Sequence, residues 1–84
     1  MANAAGMKPQ AVEPQASYTM LFDYDGSGNL IYLGRAGIGS LTGNPVWQIK
    51  KLNYSGSNMT SIQWAGGNES FTNIWDNRAS LSYS

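Results

Sequence analysis

Residues 46–65 read VWQIKKLNYSGSNMTSIQWA, and this pattern predicts a β-hairpin. The turn falls at residues 55–58, where the run of Ser, Gly and Asn is typical of hairpin turns because Gly and Asn tolerate positive φ. In the return strand, Ile62 and Trp64 lie two residues apart and therefore on one face. We expect the rest of the chain to fold against this hairpin.

In the first strand of this hairpin, the apolar residues of the first half lie on one face and those of the second half lie on the opposite face. Two-residue alternation places Trp47 and Ile49 on one face, but Leu52 and Tyr54 on the other. A β-bulge at the Lys50-Lys51 pair would shift the alternation by one residue, so that all four apolar side chains point inward. We therefore expect a bulge at the two lysines, with both ammonium groups in water.

The segments on either side of the hairpin have the pattern of further short strands. Residues 18–24 alternate well, residues 25–28 have turn composition, and residues 29–36 are expected to be the partner strand. A loop is expected over residues 37–45, and a last strand over residues 79–83. No segment sustains helical periodicity. The sequence therefore predicts an all-β fold: a small antiparallel β-sandwich or barrel of five to six short strands with an extended N-terminal arm.

The predicted core is largely aromatic. Its members are the larger apolar residues that alternation places on the inner faces of the strands. They are Phe22, Tyr32, Trp47, Ile49, Leu52, Tyr54, Ile62, Trp64, Trp75 and Leu81. The three tryptophans would alternatively suit a sugar-stacking platform, although each also sits in an alternating pattern that favours packing.

Composition limits the kinds of function to be considered. The 84 residues include no Cys and no His, so the commonest nucleophile–base pairs and metal ligands are missing. The formal net charge is zero and only 12% of residues are charged, which argues against a nucleic-acid partner because that would need clustered Lys and Arg. No run of residues is apolar enough to span a membrane, so no membrane partner is expected. We expect no enzyme activity, no cofactor and no small-molecule substrate, and instead a subunit stabilised by its neighbours.

Residues 23–29 resemble the start of a calcium-binding loop. Asp23, Asp25 and Ser27 alternate, and Gly28 occupies the sixth position. Such a loop needs a carboxylate at its twelfth position, where this chain has Gly34. We therefore predict a polar hairpin tip and no metal site.

Charged residues near the end of the chain suggest an ion pair. Asp76 and Arg78 are close enough in sequence to pair, and Arg35 would reach either carboxylate-bearing loop. Surface pairs of this kind contribute under ~1 kcal/mol to stability, but at an interface between subunits they would fix the register. Arg35, Asp76 and Arg78 are thus candidate interface residues.

The N-terminal segment, residues 1–17, differs from the rest, which forms the predicted β domain, residues 18–84. It contains few large apolar residues, and its prolines, Pro9 and Pro14, favour an extended path. It cannot bury enough apolar surface to order itself, because each ordered backbone residue costs about 1–2 kcal/mol. We expect an extended arm that binds a neighbouring subunit or a different protein of the same assembly, with Pro9, Val12 and Pro14 as contact residues.

Several short sequence motifs of the β domain resemble those of small virion structural proteins of tailed bacteriophages. These motifs are YLGRA (32–36), VWQIKK (46–51), IQWA (62–65) and NIWDNRASL (73–81), and the resemblance covers roughly residues 18–83. It implies a non-enzymatic head, neck or tail component that is assembled in the host cytoplasm into the virion. Its implied partners are other virion proteins and copies of itself. The alternative is a carbohydrate- or receptor-binding module at a fibre tip.

Overall fold

A computed structural model describes residues 17–84 of the chain and places them in an antiparallel β fold. The elements are β1 (Tyr18–Tyr24), β2 (Leu30–Gly37), β3 (Pro45–Ser55), β4 (Asn58–Trp64), β5 (Asn73–Ile74) and a 3₁₀ helix (Trp75–Ser80). The predicted all-β class with five to six strands is confirmed, and the five strands found within residues 17–84 form one open sheet in place of the predicted sandwich or barrel. Within residues 17–84, no helix is long and apolar enough to cross a membrane. Apart from Ser17, the expected N-terminal arm, with Pro9, Val12 and Pro14, lies outside the described residues.

The strands form one sheet in the order β1-β2-β3-β4, with each strand antiparallel to the next. Strand β3 is the longest, with 11 residues, and its first residues pair with β5 beyond the point where β4 ends. The predicted central hairpin is present, and its turn closes where Ser55 pairs with Asn58. Gly56 in this turn has a φ of 63°, a conformation that favours glycine.

The expected bulge at Lys50 and Lys51 is not formed. Both lysines pair in regular register with β2 and β4, and the register shifts of β3 fall instead at Asn53/Tyr54 and Pro45/Trp47. Trp47 and Ile49 therefore face one side of the sheet, and Leu52 faces the other. The alternation of side chains does not need to shift at the lysines, because both sides of this sheet carry apolar residues.

One side of the sheet is covered by the C-terminal segment, residues 75–84, and we call it the covered face. Its core contains Ala36, Trp47, Ile49, Ala65 and Trp75, packed against Leu21, Tyr32, Val46, Leu81 and Tyr83. The ring centroids of Trp47 and Trp75 lie 6.0 Å apart, and Trp47 Nε1 donates a hydrogen bond to the Leu41 carbonyl at 3.0 Å. The burial of these two indoles holds the C-terminal segment against the strands.

Two of the expected core residues are exposed. Phe22 is 51% exposed and Ile62 is 49% exposed, so their assignment to the core was wrong. In β1 it is Leu21 that faces the core, because it pairs with Gly34, which in turn pairs with Ile49. Phe22 and Ile62 lie on the opposite side of the sheet. Of the other expected core residues, Leu52 is buried on that opposite side, and Tyr54 and Trp64 are half-buried.

The C-terminal segment contains little strand. The residues expected as a last strand, 79–83, begin inside the 3₁₀ helix, and only Tyr83 forms a β-bridge, with Ala65. Ser84 then exchanges two backbone hydrogen bonds with Trp64, of 2.9 and 3.2 Å. These bonds cover the outer edge of β4 at its C-terminal end, so the segment acts both as the cover of the core and as a partial edge cap.

Candidate functional site

The side of the sheet away from the core carries a row of large exposed side chains. We call it the open face. Paired residues of antiparallel strands share a face, so the register assigns its members. They are Tyr18, Met20, Phe22, Leu33, Arg35, Gln48, Lys50, Leu52, Ile62 and Trp64, joined by Phe71 from the loop before β5. Tyr18, Met20, Phe22, Ile62 and Phe71 count among the exposed large apolar residues of the chain.

One line of residues crosses the whole open face. Phe22 of β1 pairs with Leu33 of β2, Leu33 pairs with Lys50 of β3, and Lys50 pairs with Trp64 of β4. The Lys50 ammonium lies 4.8 Å from the centre of the Trp64 ring. Such a contact attracts the cation to the face of the indole and leaves the Lys50 stem over apolar surface. The line is thus apolar with one cation in it.

A stacked aromatic pair forms one corner of the open face. The rings of Tyr18 and Phe71 lie 5.7 Å apart and 14° from parallel. The Arg35 guanidinium lies 4.6 Å from the Tyr18 ring centre and 5.8 Å from the Phe71 ring centre. Because Tyr18 belongs to β1 and Phe71 to the loop before β5, Arg35 of β2 joins two parts of the chain that are distant in sequence.

A buried glutamine positions this corner. Gln48 is only 4% exposed, and both ends of its amide are satisfied: its Oε1 accepts a hydrogen bond from Arg35 Nε, and its Nε2 donates one to the Glu69 carbonyl, each at 2.7 Å. The first bond orients the guanidinium, and the second ties the loop that carries Phe71 to β3. A buried amide that lost either partner would be costly, so the two bonds fix this geometry.

The open face carries two cationic side chains, Arg35 and Lys50. Among residues 17–84, neither Arg35 nor Lys50 forms an ion pair, since the one ion pair there joins Arg78 to Asp23. Asp23, the one carboxylate in β1, faces the covered side. The open face therefore combines apolar and aromatic surface with two cations.

The residues expected to form an interface ion pair are separated. Arg78 pairs with Asp23, Nε to Oδ2, at 2.9 Å, and its guanidinium lies 4.6 Å from the Trp75 ring centre. Asp76 instead accepts a hydrogen bond from Thr42 Oγ1 at 3.2 Å, and Arg35 lies on the open face. The expected Asp76–Arg78 pair is not formed within residues 17–84, and the interface role expected of Arg35, Asp76 and Arg78 stays a prediction. Arg78 fastens the C-terminal segment to β1 within the chain.

The hairpin tip that resembles a calcium loop uses its carboxylate for the turn. Asp25 Oδ1 accepts backbone hydrogen bonds from Ser27, at 2.8 Å, and Asn29, at 3.0 Å. These two bonds favour the ionised carboxylate and so hold the pKa of Asp25 below its usual value. The bond from the Asn29 N–H has the larger effect and the bond from the Ser27 N–H the next largest. Within residues 17–84, no three His, Cys, Asp or Glu side chains come together.

One tyrosine on the covered face has a perturbed pKa. Burial raises the pKa of Tyr83 to about 12, and the neighbouring Tyr32 adds to the effect while Arg78 opposes it. The Tyr83 hydroxyl donates a hydrogen bond to the Arg78 carbonyl at 2.7 Å, which favours its neutral form. This residue belongs to the packing of the C-terminal segment.

Sequence reasoning missed the main residues of the open face. Tyr18, Met20 and Phe71 are absent from the expected site residues. For β1 the signal was available, because the alternation of residues 18–24 places Tyr18, Met20 and Phe22 on one side of the strand. Phe71 gives no such signal, since it lies in a loop. A platform of three tryptophans is not formed, because Trp47 and Trp75 lie in the core.

Residues 17–84 thus define a small all-β domain: one antiparallel sheet with a covered face and an open face. Comparison of the chain with protein-family models, curated proteins and solved structures gave no match.

Proposed function

We propose that this chain is a non-enzymatic structural component of a tailed-phage particle, in which it cements, decorates or joins larger head, neck or tail proteins. The observation that carries the proposal is the open face. Exposed apolar surface of this kind marks sites of protein association, because it is costly to leave in water. The resemblance of residues 18–83 to small virion proteins supplies the setting.

The open face suits a protein partner better than a small molecule. It is the surface of a sheet, and the part of the chain that the structure describes has no pocket. Aromatic residues and arginine are enriched at the centres of protein interfaces, and Tyr18, Phe22 and Arg35 supply both. The two cations of this face, Arg35 and Lys50, favour a partner surface that carries carboxylates.

This proposal can be tested with particles purified from a phage that encodes the chain. Mass spectrometry should find the chain in the particles, and a Met20→Ser/Phe22→Ser variant should fold but fail to enter them. Ile38→Ser is the matched control, because Ile38 is 74% exposed and lies outside the strands, in the loop between β2 and β3. Particles that lack the wild-type chain would refute the proposal.

The stacked Tyr18–Phe71 pair supports a second candidate function, a carbohydrate- or receptor-binding module. Exposed, nearly parallel rings with a guanidinium beside them offer apolar faces and hydrogen-bond donors to a sugar. A glycan array with the wild-type chain and with Phe71→Ala tests it. Binding that disappears in Phe71→Ala would favour this function over the structural one.

A further inference from the structure

Strand β1 forms one edge of the sheet that residues 17–84 build. Within those residues it pairs only with β2, and no loop donates backbone hydrogen bonds to its outer side. Proteins usually protect such an edge with lysine, proline, a bulge or a covering segment, because unpaired N–H and C=O groups recruit another strand. The opposite edge strand, β4, is covered at its end by Ser84.

The sequence of β1 lacks the usual edge protection. Residues 18–24 read YTMLFDY, with neither lysine nor proline. The one charged residue, Asp23, is paired with Arg78 on the covered face. The register shift in this hairpin comes after Asp23, so the strand is regular from Tyr18 to Asp23.

The same seven residues are symmetric in polarity about Leu21. Tyr18 corresponds to Tyr24 and Met20 corresponds to Phe22, while Thr19 corresponds to Asp23. A two-fold interface requires that residue i contacts residue j and that j contacts i. An antiparallel pair of β1 strands centred on Leu21 meets this requirement.

We propose that two copies of this chain associate through the outer edges of their β1 strands, antiparallel, with Leu21 opposite the same residue of the second copy. The two sheets then become one, and the two open faces form a single surface. The inference rests on the proposed function in one respect, the association of copies, and it specifies the contact that joins them.

Side chains on both sides of the joined sheet are compatible with this register. Tyr24 lies two residues after Phe22 and so on the same side of β1. On the open face, Tyr18 meets Tyr24 and Met20 meets Phe22, which are cross-strand aromatic and sulfur–aromatic pairs. On the covered face, Thr19 meets Asp23, a hydroxyl opposite a carboxylate. No residue of β1 meets a like charge in this register, because Asp23 is the only charged residue in the strand.

The buried area predicts a weak dimer. Tyr18, Met20, Phe22 and Tyr24 are between 36% and 57% exposed. Their exposed parts amount to roughly 380 Å² per copy, taking about 200 Å² for each fully exposed large side chain. Edge pairing covers only part of this surface, so even with the strand backbone added the contact over both copies stays at or below the lower end of specific interfaces, about 1,200 Å². We therefore expect dimerisation that depends on protein concentration.

Disulfide trapping tests the contact and its register. The chain has no Cys, so introduced thiols are the only ones present. A mixture of Met20→Cys and Phe22→Cys proteins should form a disulfide-linked dimer under mild oxidation, whereas either protein alone should form much less. Replacing Met20→Cys by Ile38→Cys in the mixture is the control for random collision. Equal trapping in all these samples would overturn the proposed register.

Charge substitution provides an independent measurement. Met20→Lys/Phe22→Lys and Met20→Glu/Phe22→Glu each place like charges opposite one another, and should weaken self-association by more than about tenfold. Mixing the two variants should restore a dimer in sedimentation experiments, with circular dichroism confirming that both fold. Unchanged self-association in either variant would contradict the proposal. A wild-type chain that stays monomeric but enters particles would refute β1 pairing and leave the proposed function standing.

Discussion

Gly34 occupies a position where a single methyl group should disturb the core. A Cβ at this residue would lie 2.5 Å from Cε3 and 2.6 Å from Cζ3 of Trp75, and 3.3 Å from Cε3 of Trp47. Carbon atoms in contact normally lie about 3.5–4.0 Å apart. The Trp75 ring cannot move away freely, because it is buried and packs against Trp47 and the Arg78 guanidinium.

Gly34→Ala should therefore destabilise the domain. Overpacking of a core costs about 1–3 kcal/mol, and the gain from replacing glycine in a strand offsets about 0.5–1 kcal/mol of that. The expected net loss is about 1–2 kcal/mol, which corresponds to a fall in Tm of roughly 5–15 °C for a domain of this size. Thermal unfolding followed by circular dichroism measures it. Gly26→Ala is the matched control, because a Cβ at Gly26 would meet no atom within 4 Å and its φ is not positive.

A double-mutant cycle shows whether the Trp75 ring is the cause. Trp75→Phe removes the fused six-membered ring of the indole, which carries Cε3 and Cζ3. In that background Gly34→Ala should cost much less than in the wild type, because the two changes are coupled through one contact. A penalty of the same size in both backgrounds, or a Gly34→Ala protein that melts like the wild type, would show that the contact with the Trp75 ring does not limit the size of residue 34.

Four further predictions concern the packing and titration of the domain. Trp47→Ala should cost about 3–5 kcal/mol in urea unfolding, because the indole is fully buried, and the half-buried Trp64→Ala should cost less. Asp23→Asn should lower stability by under about 1 kcal/mol and reduce its dependence on salt, because the ion pair with Arg78 is partly exposed. The Tyr83 pKa is raised from 10.0 to about 12 in the folded state, so its stabilising effect is present below pH 10 and is lost as pH rises toward 12; Tyr83→Phe should reduce that loss in pH-dependent unfolding. The Asp25 pKa is lowered from 3.8, so its contribution is present above pH 3.8 and is lost as pH falls further; Asp25→Asn should flatten that part of the stability curve.

Strand positions were predictable from the sequence because alternation and turn composition are local signals. The central hairpin, the first hairpin and their turns follow from residues next to each other in the chain. The pairing of Arg78 with Asp23 was not predictable in the same way, because it joins residues 55 positions apart through the fold of the C-terminal segment. The 3₁₀ helix was also missed, since so short a helix has too little periodicity to detect.

The main error was the choice of core face in β1 and β4, since Trp47 and Ile49, the core residues expected at the start of β3, do lie in the core. Its cause is physical. Alternation identifies two faces of a strand but does not say which one is covered, and the larger residues, such as Phe22 and Ile62, suggested the wrong one. Small residues carried the correct signal. Gly34 and Ala36 lie two apart on the covered face of β2, and the missing bulk at Gly34 is where the Trp75 ring packs. The Trp75 ring can pack on this face because Gly34 has no side chain there, whereas the large side chains of β1 lie on the opposite face. The larger apolar residues of β1 therefore stay exposed, and the face that carries the small residues of β2 is closed by the C-terminal segment.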